Sequence, residues 1–322
     1  MIFKERNERA NGIGFAAGAY LLWGILPVYW KLLQNVSSIE VLAHRVIWSF
    51  IFLLIILIIT RKLQPFLSEV REITRLPRKM LGIIITTIMI NLNWFLYIWA
   101  VNQNHIIQTS LGYYINPLVS VLLGIFFLKE RLSLWQLFAF LLAIVGVSSL
   151  TLQYGAFPWV ALTLAISFGL YGLLKKVINI GSITGLTLET LVSCIFALAY
   201  LGYVYNTGNG AFKLSLSPTT LLLIGAGAVT ATPLILFAAG ARRLPLFVIG
   251  FLQYISPTIG LILGIFIYHE PFTRGHLISF VVIWGGLIIF SLARMPLLVG
   301  LEEKIIIRID QMLAIRKRKN AL

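Results

Sequence analysis

Charge is scarce in this chain. Only 11% of its 322 residues are Asp, Glu, Lys or Arg and 59% are hydrophobic, whereas an ordinary globular domain carries roughly 25% charged residues. A water-soluble fold would have too little polar surface to cover its apolar side chains. Cysteine occurs once, at Cys194 inside an apolar run, which excludes an internal disulfide and a cysteine-built metal site. Aspartate also occurs once, at Asp310 near the C-terminal end. A membrane-embedded lipid-modifying enzyme would need paired acids or a His and Asp cluster facing the interface, and the one aspartate lies in the tail. His105 and His276 have no metal-ligand partners at useful spacing and read as structural. There is no Gly-rich loop ending in Lys and Ser or Thr, and the longest polar stretch, 61–79, is too short for a nucleotide-binding domain. ATP hydrolysis by this chain is therefore excluded, and no cofactor or metal is expected.

What the sequence has in abundance is long apolar runs, at about 12–33, 41–60, 80–101, 107–128, 133–152, 157–174, 185–205, 219–238, 246–268 and 273–295. Most approach the ~20 residues a spanning helix needs. They carry no period-2 alternation and are mostly apolar all round, as suits helices in lipid. Ten such runs predict an all-α integral membrane protein and leave no room for a soluble domain. Lys4, Arg6 and Arg9 ahead of the first run resemble the start of a secretory signal, but the run continues past Tyr29 and nine more follow. That predicts an uncleaved first helix.

The net charge of +15 does not point to nucleic acid, because the bases are not clustered on one surface. With the N-terminus inside, all of the 26 Lys and Arg except Lys31, Arg45, Lys213 and Arg274 fall on one side of the membrane. Positive residues are retained in the cytoplasm, so this partition predicts an even number of spans with both termini cytoplasmic. In the tail 299–322, Ile305, Ile306, Ile309, Met312 and Leu313 share a helical face beside Arg308 and the run Arg316-Lys317-Arg318-Lys319. The pattern reads as an interfacial helix held by anionic membrane lipid, or as a frayed basic tail.

The chain also repeats itself. A shift of 140 places Tyr114-Ile115-Asn116-Pro117 on Tyr254-Ile255-Ser256-Pro257, Leu123-Gly124-Ile125-Phe126 on Leu263-Gly264-Ile265-Phe266, and Glu130 on Glu270, with no gap. Residues 113–147 and 253–287 share 11 identities in 35 positions. A weaker match at a shift of 145 sets Trp23-Gly24 on Phe168-Gly169. Each copy holds five spans, and an odd number turns the second copy upside down in the membrane. The predicted organisation is a first five-helix repeat over 1–152, a second, inverted repeat over 153–298 and a basic amphipathic cytoplasmic tail over 299–322. Inverted repeats place substrate sites near the bilayer midplane, between the halves.

Several stretches resemble the EamA-type permeases of the drug/metabolite transporter superfamily, and within them the RarD proteins. They are Trp23-Gly24 with Pro27, Glu40 with His44-Arg45, Asn93-Trp94 with Trp99-Ala100-Val101, and Leu111-Gly112-Tyr113-Tyr114-Ile115-Asn116-Pro117. In the second half they are Thr232-Pro233-Leu234, Ala241-Arg242-Arg243-Leu244-Pro245 and Gly250-Phe251-Leu252-Gln253-Tyr254-Ile255-Ser256-Pro257-Thr258. The resemblance covers nearly the whole chain. It implies a permease of the bacterial inner (plasma) membrane with ten helices around a central cavity, exporting metabolites or drugs. The sequence departs from its own pattern where Lys129-Glu130-Arg131 in the first half is matched by His269-Glu270-Pro271 in the second.

Candidate site residues follow from polar groups inside apolar runs, which are costly unless paired or hydrated. Pro117 and Pro257 each remove a backbone donor and orphan the carbonyls of Tyr113 and Gln253. Two kinked helices beside a wet cavity would offer Tyr113, Tyr114, Asn116, Gln253 and Tyr254 to a substrate, though neighbouring helices can also heal such kinks. Asn91, Asn93, Trp94 and Tyr97 lie in the third run, where asparagine either lines a cavity or joins helices. Glu40, His44 and Arg45 form an ionisable cluster near the start of the second run. It reads as an outer gate that captures an anionic substrate, or as simple snorkelling. Glu189 is the acid deepest within a run; it either carries a coupling proton or pairs with Lys175 or Lys176. Ser120 with Gly124 and Gly260 with Gly264 are small residues four apart, predicted to bring the fourth and ninth runs close together or to form a subunit contact.

These features predict a secondary carrier working by alternating access, as a monomer or homodimer. Trp, Tyr, Asn and Gln in the cavity suit a neutral or zwitterionic small molecule, such as an amino acid, better than a highly charged one. A lipid-modifying enzyme or a non-transporting receptor or scaffold is the alternative.

Overall fold

The computed structural model describes residues 2–102, 106–154, 157–208, 210–213, 217–267, 273–293 and 295–319. His105 and the segment His269-Glu270-Pro271 lie outside the described residues. Everything regular in it is helical: α1 (Ile2–Lys31), α2 (Ser38–Ile59), α3 (Leu63–Arg75), α4 (Pro77–Asn102), α5 (Ile106–Leu128), α6 (Leu134–Tyr154), α7 (Trp159–Ile178), α8 (Ser182–Asn206), α9 (Pro218–Arg243), α10 (Leu246–Gln253), α11 (Ile255–Phe266), α12 (Arg274–Leu292) and α13 (Pro296–Lys319). Among the described residues, ten segments are long and apolar enough to cross a membrane, one of them built from α10 and α11 together. Long apolar runs become helices because lipid offers backbone N–H and C=O groups no partner outside the segment itself.

The ends of these helices follow local chemistry. Asn179 adopts a left-handed conformation (φ 50°) that stops α7. Ser217 caps α9 by accepting from the Thr220 amide, with Pro218 in the first turn. Thr273 and His276 form a reciprocal capping box at the start of α12, which gives His276 the structural role expected of it. The polar 61–79 stretch contains the amphipathic helix α3, which buries Phe66 and Ile73. Its apolar residues Leu63, Phe66, Val70 and Ile73 recur at three- and four-residue spacing, a helical signal that overall polarity concealed.

Two compact units can be separated. One holds α1 to α5 and α7 to α11; the other holds α6, α12 and α13. In the first, α5 packs on α7 and α10, α1 on α9 and α11, α2 on α8 and α9, and α4 on α7 and α8. The contacts recur between repeats. Gly24 of α1 sits against Ile259 of α11, and its counterpart Gly169 of α7 sits against Val119 of α5, the counterpart of Ile259. The rings of the matched residues Trp23 and Phe168 meet each other edge to face at 5.6 Å.

The fourth and ninth spans approach closely at Gly250. A Cβ on Gly250 would stand 2.7 Å from the Pro117 carbonyl oxygen and 3.2 Å from Ser120 Cβ, whereas one on Gly260 would meet nothing within 4 Å. Gly260 therefore makes no such contact, and the surroundings of Gly264 lie outside what the structure describes.

In the second unit, α6 and α12 run antiparallel. A Cβ on Gly146 would stand 2.9 Å from the Ser279 carbonyl oxygen, and one on Gly286 would stand 2.9 Å from that of Ala139. Phe140, whose all-apolar run lets it be read as a lipid-facing residue, is 5% exposed and belongs to the core. An all-apolar helix carries no sequence mark of its buried face.

Candidate substrate-binding site

Arg45 lies seven residues after the start of α2, about 10 Å along its axis. Its Nε donates to Thr230 Oγ1 at 3.0 Å, and Thr230 stands at the middle of α9. The guanidinium is thus anchored well within the helices and does not snorkel to an end. Two indole rings lie against it, with Cζ 4.5 Å from the centre of Trp30 and 5.0 Å from that of Trp94. Tyr97 and Tyr113 are close enough to interact with it electrostatically, and they pack edge to face on each other at 6.1 Å. Tyr113 is 45% exposed, so the cluster opens on that side. Among the described residues, no carboxylate pairs with Arg45.

Trp94, Tyr97 and Tyr113 thus lie together with Arg45, which was expected in an outer gate with Glu40 and His44, while Trp30 and Thr230 were missed. Neither carries a sequence signal tying it to Arg45, since both join it from other helices. Glu40 and His44 do something different. Glu40 is buried and its Oε1 accepts from the amides of Ala211 (2.7 Å) and Phe212 (3.4 Å), in the connection between α8 and α9. The His44 ring stacks on Phe212 at 4.9 Å, and its Nε2 has no partner among the described residues. These two side chains hold a loop, leaving Arg45 to face the aromatic rings.

Asn93 donates to the Leu164 carbonyl and to Ser167 Oγ, both at 2.9 Å, and so ties α4 to α7. Asn91 joins α4 to α8 through Ser193 Oγ at 2.7 Å. Of the two roles open to these asparagines, the geometry shows helix joining. Deeper in α5, Tyr114 Oη donates to the Pro257 carbonyl at 3.1 Å and Tyr254 Oη to the Tyr114 carbonyl at 3.3 Å, linking equivalent residues of the two repeats. Asn116 and Gln253 are 5% and 4% exposed, yet Asn116 Oδ1 and Gln253 Oε1 lack a partner among the described residues. Buried acceptors left open are uncommon and costly.

Near the far end of α7 a second charged cluster is fully assembled. Glu189 Oε1 meets Lys175 Nζ at 2.6 Å, Tyr171 Oη donates to Oε2 at 3.2 Å, and Lys175 Nζ lies 5.2 Å from the Tyr171 ring centre. A cavity of about 10 Å³ adjoins them, lined by Thr86, Gly185 and apolar side chains, with room for about one water. Lys176 instead donates to the Leu244 carbonyl at 2.7 Å. From α3, Glu69 accepts from the Gly181 amide (2.7 Å) and Thr184 Oγ1 (2.5 Å), capping α8.

Ten membrane-length segments among the described residues define a multi-pass membrane protein. The model of the EamA-like transporter family matches residues 10–152 and again 158–292. The chain is 47% identical to the "Uncharacterized transporter YojE" of Bacillus subtilis (strain 168), covering 90% of this chain and 96% of that protein. It is 39% identical to "Protein RarD" of Escherichia coli (strain K12), covering 89% and 95%. A solved crystal structure superposes with a TM-score of 0.67 at 18% identity, covering 89% of this chain and 99% of that one, and this likeness bears on the fold alone. The chain belongs to the EamA-like transporter family and is a membrane transporter similar to the RarD proteins.

Proposed function

We propose that this transporter is a secondary carrier of the bacterial inner membrane. It exports small neutral or zwitterionic metabolites by alternating access between two inverted repeats, with both termini cytoplasmic. The observation that carries the reading is the open guanidinium and aromatic cluster inside the helices, assembled by α1, α2, α4 and α5 of the first repeat with α9 of the second. A site drawn from both copies is what rocking of one copy against the other requires. The recurring Gly24 and Gly169 contacts and the antiparallel α6 and α12 pair support the inverted arrangement. In this reading, Arg45, Trp30, Trp94, Tyr97 and Tyr113 receive the substrate, and Asn116 and Gln253 offer their open oxygens to its N–H donors as the helices move. Glu40 and His44 hold the outer loop shut, and Lys175 with Glu189 forms part of the inner closure.

The test is an untargeted metabolite comparison of cells lacking and overproducing the protein, followed by uptake of the leading compounds into vesicles holding purified protein. Gradient-free or gradient-driven movement of at least one compound is expected. Vesicles that move none of them while the protein binds another polypeptide tightly would replace the carrier by a receptor or scaffold.

A further inference from the structure

We propose that Arg45 is the anchor for a carboxylate carried by the substrate, so that the transported class is compounds with one carboxylate beside an apolar or aromatic body. The assignment rests on the carrier reading above. Its starting point is an imbalance of charge and of hydrogen bonds. Arg45 sits within the span of α2, yet its guanidinium meets no acid among the described residues, and Nε to Thr230 is its one engaged donor. A guanidinium carries five N–H donors, so four meet no acceptor among the described residues.

An uncompensated cation inside a membrane protein is costly, and such residues mark substrate paths. The surrounding groups narrow what can complete it. Trp30 and Trp94 stabilise the positive charge through their ring faces, but they accept no in-plane hydrogen bonds. What remains is the forked edge of the guanidinium, which matches the two oxygens of a carboxylate. The phenols of Tyr97 and Tyr113, hydrogen-bonded to each other, interact electrostatically with the same guanidinium. The rings that flank the charge form an apolar surface for the rest of the molecule. Glu40, the nearest acid in sequence, turns its Oε1 to the Ala211 and Phe212 amides and forms no ion pair with Arg45. A single cation suits a single negative charge, so di- and triacids are excluded.

The experiment titrates purified protein in detergent with a panel of free L-amino acids and short carboxylic acids, each beside its own primary amide, reading the melting temperature. One or more carboxylates should stabilise the wild type while the matching amides do not. Arg45→Gln should lose that preference, with apparent affinity weakened about tenfold to hundredfold. Arg45→Lys keeps the charge without the fork and should retain part of it; it also serves if Arg45→Gln does not fold. Equal stabilisation by acids and amides, a wild type that answers no acid, or a preference unchanged in both variants would overturn the assignment. The carrier reading is decided separately, by translocation in vesicles. Carboxylate binding without movement sinks the carrier and leaves the anchor, and movement of neutral compounds alone does the reverse.

Discussion

Two cations inside the helices are treated in opposite ways. Lys175 is sealed against Glu189 at 2.6 Å, with Tyr171 closing the group and both charged side chains under 10% exposed. Arg45 has indoles, one hydroxyl and an open side. A buried pair satisfies itself and gains little from any third party. A lone cation is incomplete until something negative arrives. The first arrangement suits a joint between α7 and α8, the second a place of arrival, although both residues look alike in a hydropathy profile.

The largest expected effect tests the sealed side of this contrast. Glu189→Ala leaves Lys175 charged and alone, and should lower stability by about 3–5 kcal/mol in detergent melting, whereas joint replacement by Lys175→Met and Glu189→Met should recover most of it. A single variant that melts like the parent would erase the distinction between the two cations. Next come Asn116→Leu and Gln253→Met, which remove open buried acceptors at similar volume. Melting should not fall, while uptake of an identified substrate weakens by about tenfold to hundredfold, one lost hydrogen bond at about 1–3 kcal/mol. Normal uptake in both would confine the site to the Arg45 cluster. Gly250→Leu should cost about 1–3 kcal/mol by overpacking against Pro117, while Gly260→Leu, with open space around it, should be near neutral. Reversal of that order would restore the Gly260 contact that spacing alone suggested. Smallest is Glu69→Ala, expected to cost about 1 kcal/mol through loss of the α8 cap and read as faster proteolysis between α7 and α8. No change would mean that α3 is not fastened there.

The ten spans were legible because hydropathy and length are local properties of the chain. So was the duplication, visible in Tyr114-Ile115-Asn116-Pro117 and its copy. Side-chain partners were not, because they come from distant segments. Asn93 could line a cavity or bind Ser167, and nothing in its neighbourhood in the sequence chooses between them. Arg45 read as a terminal residue because the second run was started at 41, where the helix itself starts at Ser38. Phe140 shows the same limit from the other side: in a helix apolar all round, the buried face is set by the neighbour, here α12. The break at Tyr254 was half visible. Pro257 announced a lost backbone bond, yet Pro117 in the same register sits within an unbroken α5, so the proline permits the break and its surroundings decide it.

The α6 and α12 contact also records what a duplicated chain is free to do. Gly146 and Gly286 are copies of one position, as are Ala139 and Ser279, and the two contacts map onto each other. Ala143 and Ile283 are likewise copies, each 1% exposed near the crossing point, but they have parted company in size. Ile283 reaches over Gly146, its Cγ1 only 2.6 Å from where a Cβ would be, while in the mirrored place Gly286 meets Leu142. Two identical half-length chains would have to set the same side chain on both sides of such a crossing, doubling every bulge and every void. Joined end to end, the halves are released from self-complementarity, and a protrusion on one is answered by a hollow on the other.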